Sequence, residues 1–355
     1  MINLQYELST LGITSKFQNI SNIQYSEKCI NENYFYKVID KDLEKVQKKL
    51  ASSLANKIET NLSSFAYRKG VSYFDFLLPH KDNYNFLRLD IKSFFHSIKE
   101  KYIRKTFENY LKNVDNNSFL KMEDDSLAID SFLNMITLKL PTVCSNTKYH
   151  NKTILPIGFV TSPVISNIVF RPIDIQIQKL CEKYKITYSR YADDMLFSSI
   201  KNESHIFTND FIKDIKKILS QFDFKLNLNK KIEMKHTLSL NGYTISNSEI
   251  RISNKKIIVI KKMIHFYNSK MKSKEILRRL YNYSLPQRCN SLSTIEKNKL
   301  YTDQLLNKLT GYRSFLISII KFNNKHKSFN EKTLTKKKYQ RLIYEIENII
   351  ENINN

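Results

Sequence analysis

The sequence predicts an α+β fold in which a small antiparallel sheet is backed by amphipathic helices. Residues 186–197 form two apolar, strand-like halves that meet at Asp193 and Asp194, which is typical of the tip of a β-hairpin. Residues 86–91 alternate like a further strand and contain Asp90. Residues 207–222 carry apolar side chains at helical spacing, which predicts an amphipathic helix after the hairpin.

The elements before the hairpin follow from the same patterns. Residues 1–60 are predicted to be helical and basic, because apolar residues recur at helical spacing toward their end. After the first strand, helix-like sequence runs from residue 97 to about residue 111. Residues 112–153 are polar and predicted to be irregular. The acidic residues 123–125 within them favour a solvated loop or a helix start over a metal site.

The C-terminal part begins with short β-like runs at residues 238–245 and 249–252. From about residue 254 to the end, the pattern is helical and very basic. The sequence contains no internal repeat and no Gly/Ser-rich linker. We therefore expect one compact unit with subdomains, followed by a helical C-terminal portion.

The charge balance favours a polyanionic partner. The chain has 355 residues and a formal net charge of +24, from 58 Lys and Arg against 34 Asp and Glu. Lysines interleave with 21 Tyr and 22 Phe, as in proteins that contact phosphates and stack on single-stranded bases. A solvated basic surface, a ribosomal type of structural protein, or the codon bias of an AT-rich genome would give a similar composition.

The cysteines and the apolar runs predict a cytoplasmic protein. The four cysteines are scattered without metal-ligand spacing, so we expect reduced thiols instead of a disulfide framework or a zinc site. No apolar run is long enough to cross a bilayer, so no membrane partner is expected. The N-terminus lacks the basic start and apolar core of a signal peptide.

Three aspartates form the candidate catalytic centre. Adjacent carboxylates at a hairpin tip, with a third carboxylate on another strand, supply the oxygen ligands that divalent ions need for phosphoryl transfer. The alternative is an exposed Asp-Asp turn, which is common for such dipeptides. The apolar strands on both sides of Asp193 and Asp194, and the presence of Asp90, favour the catalytic interpretation.

Two further segments give these aspartates a family context. Residues 89–95 read Leu-Asp-Ile-Lys-Ser-Phe-Phe, and residues 155–167 read Leu-Pro-Ile-Gly-Phe-Val-Thr-Ser-Pro-Val-Ile-Ser-Asn. Together with the acidic hairpin, they resemble motifs A, B and C of small bacterial reverse transcriptases of the retron-like and defence-associated (abortive-infection) type. The resemblance covers about residues 35–320. It implies a right-hand polymerase with fingers, a palm with an antiparallel sheet, and a helical thumb.

The resemblance assigns the chemistry to a few residues. Asp90, Asp193 and Asp194, with the Ile91 carbonyl, would hold two Mg²⁺ ions, for which Mn²⁺ could substitute. Residues 224–231 resemble motif D, whose lysine assists the leaving pyrophosphate; Lys230 is the preferred candidate, and its neighbour at position 231 is the alternative.

The same resemblance implies a nucleotide site. Phe95 would be the steric gate against a 2′-hydroxyl, although ordinary core packing is the alternative for a phenylalanine. Ile157 and Gly158 of motif B would border the incoming nucleotide, and Ile157 stands where most relatives carry Gln. Arg68 belongs to a fingers-like segment, and Lys37 would touch the triphosphate, although Arg is usual at that position.

Primer and template contacts are implied for Tyr191, Ser162, Asn167, Gly242 and Tyr243. The last two lie in a segment that resembles the hairpin gripping the primer strand. The Thr-Ser-Pro sequence at 161–163 is also an ordinary helix start, which is the alternative explanation.

The predicted domains are an N-terminal extension and fingers (1–85), a palm (86–250, with an insertion around 112–153), a thumb (251–322) and a basic C-terminal helix (323–355). The last segment is expected to be too short for an RNase H, integrase or HNH endonuclease domain. This length favours a small stand-alone enzyme over a retroviral polyprotein or a mobile intron enzyme.

The predicted function is DNA synthesis from dNTPs on a non-coding RNA, in a role in anti-phage defence. The alternatives are a diversity-generating retroelement enzyme, an untemplated or protein-primed DNA polymerase, and a catalytically inactive RNA-binding scaffold. The template, the primer, and the presence of a partner protein or a homo-oligomer stay open at this point.

Overall fold

The computed structural model of the chain describes residues 23–30, 32–111, 125–326 and 334–354. The chain divides into two compact units, Met1–Met234 and Lys235–Asn355, and each is described by itself. None of the helices within the described residues is both long and apolar enough to span a membrane.

The first unit mixes helices and strands. In chain order, its elements are β1 (Tyr25–Ile30), β2 (Asn33–Val38), α1 (Lys41–Lys57), α2 (Tyr73–Leu77), β3 (Asn85–Asp90), α3 (Phe94–Ser97), α4 (Glu100–Leu111), α5 (Asp125–Ile136), β4 (Leu138–Lys139), β5 (Thr153–Ile154), α6 (Ser162–Lys183), β6 (Thr187–Tyr191), β7 (Asp194–Ser199), α7 (Asn209–Ser220) and β8 (Ile232–Lys235).

A four-stranded sheet organises this unit, in the order β6-β7-β3-β8. The strands β6 and β7 form the predicted hairpin, and β3 pairs antiparallel with β7. The apolar side chains of β3 and β7 are almost fully buried, as the central strands of a covered sheet require. The predicted strand at 86–91 and the predicted acidic hairpin are therefore confirmed.

Helices cover this sheet. The long helix α6 packs against β6 and is itself contacted by α1, α4 and α7. The helix predicted within 207–222 is confirmed as α7, where the Thr208 side chain accepts a hydrogen bond from the Phe211 amide at the first turn. Phe211, Ile215 and Leu219 share its buried stripe. The fold is α+β, as predicted.

The prediction of helix throughout residues 1–60 is wrong over residues 25–38. Here the chain forms the antiparallel β1–β2 hairpin. Tyr36 and Val38 alternate with exposed neighbours, and aromatic and β-branched residues at a period of two favour a strand. The helical prediction holds for α1, whose N-cap Asp40 accepts hydrogen bonds from two backbone amides. Residues 1–22 lie outside the described part of the chain.

The prediction of irregular structure for residues 112–153 is also wrong in part. Helix α5 and the short strands β4 and β5 lie within this segment. The helix forms because Ile129, Phe132, Leu133 and Ile136 recur at helical spacing and are all buried. Of the acidic residues 123–125, the first two lie outside the described residues, and Asp125 opens α5, so a helix start was the correct alternative there.

The second unit begins with a three-stranded sheet and continues in helices. Its elements are β9 (Leu238–Leu240), β10 (Tyr243–Ser246), β11 (Glu249–Ile252), α8 (Asn254–Asn268), α9 (Ser273–Tyr281), α10 (Thr294–Lys325) and α11 (Leu334–Asn354). The sheet order is β11-β10-β9, which confirms the strands predicted at 238–252. The helical character predicted from residue 254 is confirmed as well.

The helix α11 packs on α8 and α10. Tyr339, Leu342, Ile346 and Ile349 are its buried residues, so the basic face is only one side of an amphipathic helix. The predicted domain limits remain predictions: the second compact unit starts at Lys235, and α10 runs continuously through residue 322.

Candidate active site

The acidic turn between β6 and β7 meets the end of β3. Asp194 opens β7, and its register partner on β3 is Asp90, the last residue of that strand. The Ile91 amide donates a hydrogen bond to the Asp193 carbonyl over 3.0 Å. The turn residue Ala192 has a left-handed φ of +57°. The sheet thus places the backbones of the three predicted aspartates at one end of two neighbouring strands.

The electrostatics of these aspartates differ from those of exposed carboxylates. Burial raises the pKa of Asp193 to about 6, and the negative charges of Asp194 and Asp90 act in the same direction. Burial also raises the pKa of Asp194, although Arg88 opposes that shift. Closely placed, desolvated carboxylates are unfavourable as anions unless positive charge accompanies them.

Two cations contact the aspartates. The Lys230 ammonium lies 3.0 Å from Asp90 Oδ1. Arg88 donates to Asp194 Oδ1 through Nε over 2.9 Å and also through Nη2, and its Nη2 lies 4.0 Å from Asp90 Oδ1. Sequence reasoning missed Arg88, although its position two residues before Asp90 on a strand put both side chains on one face of the sheet.

The carboxylate oxygens of the three aspartates are the possible ligands for a divalent ion. In the described ranges, no three His, Cys, Asp or Glu side chains stand together as a ready-made metal site. Asp90 and Asp194 are instead engaged by Lys230 and Arg88. Carboxylate oxygens are the ligands that Mg²⁺ and similar ions prefer, and a raised carboxyl pKa marks negative charge that such an ion would compensate. The residues fit a divalent ion.

The turn after β3 carries the predicted steric gate. Ser93 adopts a left-handed φ of +51°, and α3 begins directly after it. The Phe95 ring lies 5.3 Å from that of Phe94 and 6.2 Å from that of Tyr67. Phe94 is fully buried, whereas Phe95 is only partly buried. Phe95 therefore packs at the edge of the core, and its role as a steric gate stays a prediction.

The predicted motif B loop is joined to the β1–β2 hairpin. The Tyr36 amide donates to the Ile157 carbonyl over 2.7 Å. Gly158 has a φ of +108°, and a Cβ built on it would lie 2.5 Å from the Tyr36 carbonyl oxygen. Lys37 follows in β2 with an exposed side chain. The structure thus brings Ile157, Gly158 and Lys37 into one neighbourhood.

Ser162 and Asn167 make internal contacts instead of presenting free side chains. Both are buried, and the Ser162 hydroxyl donates to the Pro156 carbonyl over 2.7 Å. Asn167 donates to the Ala66 carbonyl and accepts from the Ser64 hydroxyl. These bonds shape the motif B turn and the fingers-like loop. The predicted contact of the two residues with primer or template stays a prediction.

The family model described as reverse transcriptase (RNA-dependent DNA polymerase) matches residues 33–245, which is more than half of the chain. The chain belongs to the reverse transcriptase family. This membership agrees with the resemblance and the polymerase fold class predicted from the motifs. Reverse transcriptases as a family use divalent metal ions.

The retron Ec73 reverse transcriptase of Escherichia coli is 31% identical over 191 residues, which are 52% of this chain and 55% of that protein. The retron Ec83 reverse transcriptase of Escherichia coli is 28% identical over 155 residues, covering 43% of this chain and 45% of the relative. The chain therefore spans about half the length of the curated relatives it matches.

Two of the solved structures that the comparison with this chain finds are telomerases. The telomerase of Candida albicans with a telomeric RNA fragment has a TM-score of 0.46 and 15% identity, over 99% of this chain and 64% of that one. A truncated apo telomerase of Candida tropicalis has a TM-score of 0.41 and 11% identity, over 71% of this chain and 59% of that one.

A basic groove of this reverse transcriptase lies beside the motif B helix. Its volume is about 660 Å³, and Tyr67, Arg68, Lys69 and Arg171 line it with polar residues of α6. Arg68 donates to the Ser64 carbonyl over 2.9 Å, which holds its side chain near the loop that carries it. Glu59 and apolar side chains complete the lining, so the groove carries an excess of positive charge beside one aromatic ring.

Tyr67 is a site residue that sequence reasoning missed. Its ring approaches Phe95, and its backbone has a left-handed φ of +60°. Desolvation and then the charge of Asp193 raise the pKa of Tyr67 to about 12. Tyr191, on β6, instead lies edge-on to Tyr73 and tilted against Phe76, at ring distances of 4.9 Å and 5.7 Å. Only the tertiary structure reveals these neighbours.

The predicted primer-grip residues of the reverse transcriptase lie in its second unit. Gly242 has a φ of +89°, and a Cβ there would come within 2.8 Å of the Lys256 side chain. The Tyr243 ring lies 5.0 Å from Phe315, over which the Lys256 ammonium also sits, 4.3 Å from the ring centre. Gly242, Tyr243, Lys256 and Phe315 therefore form one cluster.

Proposed function

We propose that the protein is an RNA-directed DNA polymerase that joins dNTPs into DNA on a non-coding RNA template. The observation that carries the proposal is the pairing of Asp90 with Asp194 across β3 and β7, with Asp193 beside them at a raised pKa. Acidic residues with this placement and burial serve phosphoryl transfer better than nucleic-acid binding alone, which disfavours carboxylates next to phosphates.

Asp90 and Asp193, with the Ile91 carbonyl, would hold two Mg²⁺ ions, and Asp194 contributes less directly because Arg88 engages it. Mn²⁺ would substitute at the same oxygens. When bound, such ions lower the pKa of the attacking primer 3′-hydroxyl and neutralise charge that develops on the leaving pyrophosphate.

The side chains around the aspartates supply the remaining functions. Lys230 now pairs with Asp90, and its ammonium can donate to the pyrophosphate as the bond to the α-phosphate breaks. Phe95, held between Phe94 and Tyr67, excludes a ribose 2′-hydroxyl by its bulk. Lys37 and the Ile157–Gly158 turn, on the fingers side, bind the nucleotide.

Positively charged side chains would bind the phosphates of the RNA template. The RNA template would run along the groove lined by Arg68, Lys69 and Arg171, where phosphate contacts release counterions. Tyr191, Gly242 and Tyr243 would contact the primer, while the buried Ser162 and Asn167 shape the loops that face it.

We extend the proposal, by resemblance to retron enzymes, to a role in anti-phage defence. The four free thiols favour a reducing, cytoplasmic location.

The experiment is sequencing of the nucleic acid that copurifies with the protein, before and after Mg²⁺ and dNTPs are added. The inactive variants are Asp193→Asn and the double variant Asp193→Ala with Asp194→Ala. The matched control is Asp210→Asn, which changes an aspartate whose side chain is 81% exposed. We expect a discrete RNA and new DNA complementary to it in the wild type and in the control.

The other outcomes separate the alternatives. New DNA without a matching RNA would indicate untemplated or protein-primed synthesis. Bound RNA without any DNA, in wild type and variants alike, would contradict the polymerase proposal and indicate an RNA-binding scaffold.

A further inference from the structure

Arg190 is a fully buried arginine in β6, three residues before Asp193. Its Nε and Nη2 donate to the two carboxylate oxygens of Asp174 over 2.9 and 2.7 Å. Its Nη1 donates to the Ala192 carbonyl over 3.0 Å and to Asn167 Oδ1 over 3.3 Å. Its Nη2 also donates to the Ser64 hydroxyl over 3.1 Å. All five N–H donors of the guanidinium thus have an acceptor.

The flat face of this guanidinium is packed as well. Arg190 Cζ lies 4.4 Å from the Phe170 ring centre and 5.7 Å from that of Phe94. Asp174 is itself fully buried and accepts a further hydrogen bond from the Tyr188 hydroxyl. A planar fork with five fixed donors is specific to arginine, so a lysine would keep the charge and lose most of this geometry.

The contact with Ala192 acts on the acidic turn. Ala192 has a left-handed φ, which is unfavourable for a residue with a Cβ and persists only where its surroundings hold it. Arg190 binds the Ala192 carbonyl on one side of Asp193, and the Ile91 amide binds the Asp193 carbonyl on the other. The backbone of Asp193 is thereby held from both sides.

The backbone of Arg190 attaches the turn to the fingers-like loop. Its amide donates to the Ser63 carbonyl over 2.7 Å, and its carbonyl accepts from the Phe65 amide over 2.9 Å. Asn167 extends the attachment by donating to the Ala66 carbonyl. The loop leads directly to Tyr67, so the acidic turn, the motif B helix and this loop share one hydrogen-bond network.

We propose that Arg190 is a positioning residue, which, anchored by Asp174, holds the Ala192–Asp193 turn in the conformation that lets Asp193 bind a divalent ion. The inference rests on the proposed function, because it assigns Asp193 to metal binding. An ion pair that serves stability alone would have the same contacts with Asp174 but would not set the metal affinity.

The test measures Mn²⁺ binding to the purified full-length protein by electron paramagnetic resonance of the free ion, together with the melting temperature. The variants are Arg190→Lys and Asp174→Asn. The control is Ile177→Ala. It removes a buried side chain from α6, the helix that carries Asp174, and leaves the hydrogen bonds of Arg190 intact. The Mn²⁺ binding that is lost in Asp193→Asn is the part that depends on the acidic turn.

We expect Arg190→Lys to weaken the Asp193-dependent binding about tenfold, in the range that loss of a supporting hydrogen bond produces at metal sites. Asp174→Asn, which leaves the donor to Ala192 in place, should weaken it only about threefold, less than the tenfold or more that follows loss of the direct supporting hydrogen bond. Ile177→Ala should lower the melting temperature and leave the affinity unchanged. If Arg190→Lys does not fold, Asp174→Asn decides the outcome.

Two results would count against the claims in different ways. If the variants bind Mn²⁺ as Ile177→Ala does at equal loss of melting temperature, Arg190 is only structural and the inference is overturned. If wild-type binding does not depend on Asp193 at all, the metal-dependent function proposed above fails first.

Discussion

At the scale of single residues, positive and negative groups at the acidic turn balance one another. Asp90 contacts Lys230, and Asp194 contacts Arg88, while Asp193 retains a pKa raised to about 6 by burial and by its acidic neighbours. The two protein cations thus offset part of the negative charge of the three carboxylates. This arrangement predicts that divalent ions compete with two protein cations for the same oxygens.

The steric role of Phe95 can be tested by removing its ring. Phe95→Ala should open space next to Tyr67 and reduce the preference for dNTPs over rNTPs by about 10- to 100-fold, the range in which packing alone discriminates an added group. The measurement is kcat/KM for matched dNTP and rNTP pairs. Tyr67→Phe is the control and should keep the preference, because the ring that faces Phe95 remains. An unchanged preference in Phe95→Ala would contradict the gate.

His80 predicts a pH dependence of stability. Its ring is fully buried, and its two nitrogens lie 2.6 Å from the hydroxyls of Ser198 and Ser189. Burial lowers the pKa of His80 to about 3, so the folded chain keeps it neutral while the unfolded chain binds a proton below about pH 6.5. The contribution of His80 to the free energy of unfolding is therefore fully present above about pH 6.5, and it is lost as the pH falls toward 3.

We therefore expect the free energy of unfolding of the wild type to fall more steeply than that of His80→Gln between pH 6 and pH 4. The difference should approach about 1.4 kcal/mol per pH unit, the value for one proton. Urea unfolding at several pH values measures it. Parallel curves for the two proteins would show that His80 does not titrate as its burial implies.

At the scale of elements, the contact between the β1–β2 hairpin and the motif B loop depends on Gly158. A Cβ there would lie 2.5 Å from the Tyr36 carbonyl oxygen, and the φ of +108° is itself unfavourable for alanine. Gly158→Ala should destabilise the protein by at least about 1–3 kcal/mol and raise KM for dNTPs, because the loop must move. Thermal unfolding and steady-state kinetics measure both effects.

Gly311 offers the matched control for this substitution. It lies inside α10, and a Cβ there would meet no atom within 4 Å. Gly311→Ala should stabilise the second unit by about 0.5–1 kcal/mol, because alanine favours a helix over glycine. If both alanine variants changed stability in the same direction, the conformational explanation for Gly158 would be wrong.

The C-terminal helix α11 shows how an element can be both basic and structural. Its apolar stripe packs on α8 and α10, and the Tyr339 hydroxyl accepts a hydrogen bond from the Ile252 amide over 2.9 Å. Arg313 of α10 pairs with Glu347 over 2.6 Å. The lysines at 336–338 lie at the start of this helix and are not part of its buried stripe, so they carry charge while the stripe supplies the packing.

At the scale of the whole molecule, the net charge of +24 should govern RNA affinity. If six to ten phosphates are contacted, raising salt from 50 to 200 mM should weaken binding by about 10³- to 10⁵-fold through counterion release. Fluorescence anisotropy with a labelled RNA gives the slope of log K against log salt. Arg171→Gln, in the basic groove, should reduce the magnitude of that slope by about 0.9.

Lys213→Gln is the matched control, because it also removes one positive charge, from an exposed side chain outside the groove, and should leave the slope equal to that of the wild type. A slope that Arg171→Gln leaves unchanged would mean that RNA does not follow the groove. The outcome is independent of polymerase activity, since binding is measured without dNTPs.

Local patterns were sufficient for the parts of the fold that lie next to the acidic turn. The strands around Asp90 and Asp193 were predictable because each is a short and almost continuously buried run, and the helix α7 was predictable because its buried residues recur at helical spacing. The β1–β2 hairpin and α5 were not predicted. In the hairpin, apolar residues are mixed with lysine, glutamate and asparagine over two short strands, so burial against other elements selects the strand structure. Helix α5 contains no lysine and carries apolar residues at helical spacing, a local pattern that the prediction of irregular structure overlooked.

The sequence by itself determined which residues form the candidate site: three aspartates, a lysine and a phenylalanine at spacings that resemble those of a polymerase, in a strongly basic chain. Only the tertiary structure brought in Arg88, Tyr67 and the network of Arg190, and only it turned Ser162 and Asn167 inward. The physical reason is that hydrogen bonds and burial join residues far apart in the chain. Residue type and spacing cannot specify which donor meets which acceptor.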